Sequence, residues 1–320
     1  MLCKWGVLGP GFIATRAVMP AIQHAPDARL MAVASRSNER AQTVAAQFNI
    51  ERCYTDYQAL LDDPEIQAVY IALPNHLHAL WTIRAARAGK HVLCEKPLAL
   101  SSAECDQMIA ACRQANVLLM EAVMYRFHPR MIALKALVAH GELGEIHFLN
   151  AAFSFPFNAL DNYRSQAEFG GGALLDVGSY CVNAVRWLSG SEPEMVQAHT
   201  SYSQGIDVST SAILHFGQHT LAHIQCSFAA AEHQSLGVVG NVASVTAPLA
   251  FTAWRDDPTV LMVQRGATFE QQAFAPADPY LAMVNHFTDC MLGRVTPLYR
   301  PEDGRATIRA LEMIKSASAG

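Results

Sequence analysis

Short apolar bursts alternate with helical spacing over the first third of the chain. Val69 to Leu73 is one such burst, stopped by Pro74-Asn75, as expected of a buried parallel strand running into a turn. The period then changes. Leu80, Ile83, Ala86 and Arg87 fall three or four apart, Gly89 supplies the left-handed stop that helix ends favour, and strand His91 to Cys94 follows at once. The same alternation places strands near Lys4, Arg29, Arg52, Ala68, His91 and Val117, with helices from Phe12, Asn38, Asp56, His76 and Ser102. This order predicts an α/β domain over 1-122 with a doubly wound parallel sheet.

Beyond Glu121 the pattern becomes that of long alternating strands. Ala222, Ile224, Cys226 and Phe228 share one face and His223, Gln225 and Ser227 the other. Residues 123-320 are therefore expected to form an α+β domain around a large, mostly antiparallel open sheet. Helices are predicted from Arg130 to His140, stopped by Gly141, and from Val177 to Leu188, stopped by Gly190. Two more, Pro279 to Leu292 and Pro301 to Ala317, are expected to return over the first domain or the sheet. A broad sheet covered on one face leaves the other to bury, so a homodimer or higher homo-oligomer through that sheet is the expected assembly.

Length and composition narrow the function. At 320 residues the chain suits two domains, with 51% hydrophobic and 16% charged residues. No apolar stretch approaches the roughly 18 to 20 residues of a membrane span, and with a strand predicted from Lys4 no signal peptide is expected. The net charge of -5, with no clustered Lys/Arg stripe, argues against nucleic acid or an anionic membrane as partner. Eight cysteines without a CxxC pair point to reduced thiols and a cytoplasmic protein. Thirteen histidines, among them His76, His78, His215, His219 and His223, show no recognisable ligand spacing, and no metal is expected.

The chemistry begins at the amino terminus. Gly9-Pro10-Gly11-Phe12-Ile13-Ala14 is a G-x-G-x-x-A turn between a strand and a helix, the context in which this motif binds a dinucleotide. Gly9 makes the tight turn, Gly11 admits a pyrophosphate to the backbone, and Phe12 and Ile13 open the helix whose amino end faces it. The second strand ends in Ser35-Arg36-Ser37, with no carboxylate to accept from the ribose hydroxyls. Arg36, with Ser35 and with Arg40 one turn on, suits the 2′-phosphate of NADP(H) instead. Ligands sit at the carboxyl ends of parallel strands, so Leu73, Pro74, Asn75, His78, Glu95 and Lys96 are expected to share one crevice with the cofactor.

A second constellation runs from Gly170 to Asn183. Three glycines lead into a helix on which Asp176, Tyr180 and Asn183, spaced by four and three, share a face. With Pro74-Asn75-His76-Leu77-His78, Glu95-Lys96-Pro97 and Tyr125-Arg126-Phe127-His128-Pro129, these motifs make nearly the whole chain resemble the Gfo/Idh/MocA oxidoreductase family. Many relatives carry His where this chain has Tyr180 and Asp where it has Asn183. The tyrosine version is similar to the branch holding glucose-fructose oxidoreductase, NADP-dependent D-xylose 1-dehydrogenase and dimeric dihydrodiol dehydrogenase. The resemblance also implies a cis peptide before Pro97.

What it implies chemically is reversible hydride transfer between nicotinamide C4 and a carbinol carbon of a sugar or cyclic polyol, as in an aldose 1-dehydrogenase. Free tyrosine, with pKa near roughly 10, is a poor base at neutral pH, and a neighbouring Lys96 would favour its phenolate. Tyr180 then takes the hydroxyl proton, Lys96 lowers its pKa, and Asp176 holds a sugar hydroxyl or the lysine. Lys96 as base is the alternative. Arg126, Phe155, Tyr163 and Arg164 are further candidates for substrate contact. Rival readings are a carbonyl-sugar reductase or trans-dihydrodiol dehydrogenase on the same site, and a non-catalytic NADP-sensing regulator.

Overall fold

Six strands, largely buried and apolar except for the edge strand β3, pair in parallel in the order β3-β2-β1-β4-β5-β6. They are β1 Cys3–Leu8, β2 Ala28–Ala34, β3 Arg52–Tyr54, β4 Ala68–Ile71, β5 His91–Cys94 and β6 Leu119–Glu121. The computed structural model describes residues 2–253 and 256–318. The order reverses between β1 and β4, the topological switch point where doubly wound sheets bind ligands. Registers align Ala34, Leu8, Ile71, Cys94 and Glu121 in one row, so the turns that follow these strands emerge along a single edge.

Eight further strands form a second sheet. They are β7 Ile146–Ser154, β8 Met195–Ser203, β9 Ile206–Phe216, β10 Thr220–Ser227, β11 His233–Gly240, β12 Ser244–Pro248, β13 Thr259–Arg265 and β14 Thr268–Phe274. Their order is β14-β13-β12-β11-β7-β10-β9-β8, antiparallel except where β10 meets β7. Two-residue alternation puts Leu149, Ala151, Leu214, Ala222, Ile224, Leu236 and Val238 in the core, with helix Ser179–Ser189 above them. On the opposite face Phe148, Ile213, Val239 and Met262 stand exposed.

The chain divides into two compact units, Met1–Met124 with Tyr280–Arg305, and Tyr125–Pro279 with Ala306–Gly320. The single division expected after residue 122 gives way to this interleaved one, because helix Pro279–Met291 packs into the first sheet's core. Phe287 lies against Trp5 with ring centroids 5.1 Å apart, and the Tyr299 hydroxyl donates to the Glu121 carbonyl at 2.7 Å. Helix Pro301–Ser318 is shared between the units.

Helix Pro129–Ala139 shows how local sequence sets an element's start. Pro129 fits the first turn, and the His128 ring accepts from the Arg130 backbone N–H at 3.1 Å through Nδ1. Burial, with the Arg130 charge, pushes the His128 imidazole down to about 4. The folded state thus holds it neutral while the unfolded chain takes up a proton near the ordinary value of about 6.5. The stability this lends is complete above pH 6.5 and lost as pH falls toward 4, by roughly 3 kcal/mol. Urea unfolding at pH 7.5 and 4.5 should show that loss, and His128→Asn, which keeps a cap without a titrating ring, should flatten it.

Candidate functional site

The dinucleotide turn is built as its glycines require. Gly9 has φ +82°, and a Cβ there would lie 2.6 Å from the Leu73 side chain and 2.8 Å from the Ala72 carbonyl oxygen. A Cβ on Gly11 would meet nothing nearer than that oxygen at 3.8 Å, so its backbone is open to a close-approaching group. Phe12 is 72% exposed at the start of the helix. Arg40 donates to the Pro10 carbonyl from Nε (2.9 Å) and Nη2 (2.6 Å), bracing the turn with two of its five donors.

At the end of β2 the serines are occupied locally. The Ser35 hydroxyl accepts from the Ser37 backbone N–H at 3.3 Å, and the Ser37 hydroxyl caps the next helix through the Arg40 N–H. Arg36 is exposed, within reach of Tyr57, and no carboxylate stands in this turn. The chemistry of this donor set fits a phosphate better than a ribose diol.

Along the same edge, Leu73 and Asn75 are buried while Pro74, Glu95 and Lys96 are partly accessible. The peptide Lys96–Pro97 is cis. Glu95 accepts from the Tyr70 hydroxyl. His78 departs from expectation. It is 0% exposed and both ring nitrogens face backbone carbonyls, Nδ1 that of Pro97 and Nε2 that of Leu73, each at 2.8 Å. It braces the turns and does not present itself to a cofactor.

In the second unit, Leu174–Gly178 is a π-helical turn leading into helix Ser179–Ser189. The glycine run before it is explained by neighbours. A Cβ on Gly171 would lie 2.5 Å from the Arg164 carbonyl, and one on Gly172, at φ +109°, 2.0 Å from Asp207 Oδ1. Asp207 reaches in from β9 and accepts from the Leu174 N–H at 2.6 Å, placing a carboxylate at the amino end of the Tyr180 helix. Burial raises its pKa and the backbone donors oppose that rise.

Asp176 and Tyr180 follow one turn apart. The Asp176 carboxylate accepts from Arg164 Nε at 2.8 Å. Burial alone would lower the Arg164 guanidinium, but Asp176, with Tyr163 and Tyr180, raises it overall, so the cation is permanent. The Arg164 guanidinium also lies 5.2 Å from the Tyr163 ring centre. The Tyr180 ring is 8% exposed, with the rings of Phe153 (5.6 Å), Phe251 (5.6 Å) and Tyr125 (6.1 Å) around it. Phe155, half-buried, continues this wall through Phe157 and Phe228.

Arg126 does not join this group. It is 1% exposed, its Nε donates to Asn183 Oδ1 at 2.9 Å, and it lies 5.2 Å from the Trp187 ring centre. Asn183 Oδ1 also accepts from the Tyr125 hydroxyl at 2.6 Å. Arg126 as a substrate contact is therefore corrected to a buried tie within the fold. Sequence reasoning missed Asp207 and Phe251, whose roles come from pairings across many residues that leave no local signal. Among the described residues no group of three or more His, Cys, Asp or Glu side chains is placed to hold a metal ion.

Residues 3–123 match the family model described as an oxidoreductase family with an NAD-binding Rossmann fold, and residues 131–246 match the GFO/IDH/MocA C-terminal domain. The chain is a member of the GFO/IDH/MocA oxidoreductase family. It is 36% identical to a D-xylose 1-dehydrogenase (NADP(+)) of Haloferax volcanii, over 99% of this chain and 98% of that one. A trans-1,2-dihydrobenzene-1,2-diol dehydrogenase of Xenopus laevis is 33% identical, over 78% and 76% respectively. The crystal structure of a 3-ketoreductase from Actinomadura kijaniata with NADP and TDP-benzene superimposes with a TM-score of 0.94 at 30% identity, covering 99% of this chain and 98% of that one. Forms of that enzyme with a tyrosine changed to phenylalanine and a lysine changed to alanine have also been solved.

The Gly172 geometry gives a direct test of the helix support. Gly172→Ala should lower stability in urea unfolding by about 2 kcal/mol or more, since the new Cβ meets both a left-handed backbone and the Asp207 carboxylate.

Proposed function

We propose that this GFO/IDH/MocA oxidoreductase uses NADP(H) to oxidise or reduce a carbinol carbon of a sugar or cyclic polyol, in the manner of an aldose 1-dehydrogenase. The observation that carries the reading is the helical face on which Tyr180 stands one turn from the Arg164-paired Asp176, inside an aromatic wall. Its likeness to a D-xylose dehydrogenase over nearly the whole chain supports the sugar class. The half-buried rings of Phe155 and Phe157, backed by the buried Phe228, suit an aromatic diol as well, which keeps trans-dihydrodiol oxidation as the second reading.

Gly9, Gly11, Phe12, Ile13, Ser35, Arg36, Arg40, Leu73, Pro74, Asn75, Glu95 and Lys96 are the residues we assign to the cofactor. Bound there, the nicotinamide would supply hydride chemistry at C4. The protein's part is proton handling and placement. Tyr180 accepts the proton of the carbinol hydroxyl, or returns it when the reaction runs toward reduction. Arg164 makes the phenolate accessible by its positive charge, Asp176 orients Arg164 and a substrate hydroxyl, and Lys96 is assigned to proton handling. Tyr163 and Phe155 contact the ring of the substrate. That a tyrosine and a lysine were the residues varied in the 3-ketoreductase agrees with this division of labour.

Among the described residues no helix is long and apolar enough to cross a membrane, and all eight cysteines are unpaired, which supports a cytoplasmic setting. The exposed Phe148, Ile213, Val239 and Met262 on the open sheet face support assembly with a second copy.

Initial rates of NADPH formation across D-xylose, D-glucose, other aldoses, myo-inositol and a trans-dihydrodiol test the reading, and silence with all of them overturns it. Lys96→Met should lose roughly 100-fold or more in kcat. Arg36→Ala should lower kcat/KM for NADP about tenfold or more while leaving that for NAD nearly unchanged. Light scattering should find a mass above one chain, reduced by Phe148→Lys with Ile213→Lys.

A further inference from the structure

Lys96 belongs to a segment held from three sides by residues that the mechanism does not use. Tyr70 donates to Glu95 just before it, and Glu121 at the end of β6 accepts from the Leu98 N–H at 2.8 Å just after it. His78 supplies the third hold. Its ring lies wholly inside the first unit, with the Leu73 carbonyl at one nitrogen and the Pro97 carbonyl at the other, both at 2.8 Å. One imidazole therefore joins the turn after β4 to the residue following Lys96.

Few side chains can do this. An imidazole carries nitrogen on two edges of a rigid ring and can address two carbonyls at once, whereas an amide offers its donors from one end and a phenyl ring offers none. A neutral ring donates to one carbonyl, and protonation adds the second donor. Burial opposes that proton, as does the charge of Lys96, while the two carbonyls favour it. One tether is thus made in every protonation state.

We propose that His78 is a positioning residue for Lys96, fixing the segment that carries the lysine through a ring seated between the Pro97 and Leu73 carbonyls that donates to one of them in its neutral form. The proposal rests on the assignment of Lys96 to proton handling. A lysine displaced by about an ångström loses much of its effect on a reacting oxygen, on the order of tenfold to a hundredfold in rate.

The chain has five lysines, Lys4, Lys90, Lys96, Lys135 and Lys315, so its lysines can be followed singly. Reductive methylation of the full-length protein with ¹³C-formaldehyde gives each a methyl signal, with that of Lys96 identified by its loss in Lys96→Met. In the parent protein the Lys96 signal should be displaced from the position of a solvated dimethyl-lysine. In His78→Phe it should move to that position, with kcat for NADP-dependent oxidation of D-xylose down tenfold or more and KM for NADP changed less than about threefold. His78→Gln, which retains one donor end, should fall between the two and answers the question should His78→Phe not fold.

A Lys96 signal unchanged in both variants overturns the proposal, whatever the rates do. So does a defect confined to KM for NADP, which would assign His78 to cofactor binding. A fully active Lys96→Met overturns the role of the lysine, and the proposal with it. An inactive Lys96→Met beside a fully active His78→Phe overturns the proposal alone. The spectra require no substrate and so report on the segment independently of the proposed reaction.

Discussion

Parallel pairing that brings Ala34, Leu8, Ile71, Cys94 and Glu121 into one row is the constraint on which the first unit's chemistry depends. Parallel strands must each be followed by a crossover, so every strand in that row delivers a turn to the same edge. The glycine turn, the Ser35-Arg36-Ser37 turn, the Pro74-Asn75 turn and the Lys96 segment are neighbours for that reason alone. A shift of one residue in any pairing would send the following turn's side chains to the other face.

Several polar side chains in this molecule, all of them buried except Arg40, serve as braces on backbone. His78 meets two carbonyls, Arg40 and Arg130 meet the carbonyls of Pro10, Pro248 and Leu249, and Lys90 meets those of Asp63 and Ile66. Asp207 does the converse and accepts from the backbone at the start of a helix. Each such contact contributes only about 1 kcal/mol net, or somewhat more where a charge takes part, yet losing one leaves a buried group unsatisfied at a cost of about 1–3 kcal/mol. The result is a set of turns and one helix held in place at modest net stability but with high specificity of position, which is what a proton-transfer site demands.

The second unit applies the same logic to aromatic rings. Phe153, Phe251 and Tyr125 confine the Tyr180 ring, and Phe153 stacks on Phe251 at 5.6 Å. Because Asp176 is paired with Arg164, the carboxylate that stood in the sequence as a free acidic group enters the structure as half of an ion pair beside the tyrosine. The permanent cation near the phenol is therefore supplied within this unit, from the loop whose backbone is fastened at Gly171 and Gly172.

Periodicity determined the strands and helices of the first 122 residues and the alternation of β10, because these patterns follow from which side chains must leave water. The positions of the glycine turn, of Lys96 just after β5, and of Asp176 and Tyr180 one turn apart were legible as well, since each belongs to a short motif whose geometry is local. The chain alone left Arg126 and His78 open to misreading as ligand contacts, for a polar residue in a motif looks the same whether it faces a ligand or a carbonyl. Tertiary structure decided these two, the return of helix Pro279–Met291 to the first unit, and the placing of Asp207 and Phe251 against the Tyr180 helix. All depend on partners tens to hundreds of residues apart, where only the packed chain fixes which buried group meets which.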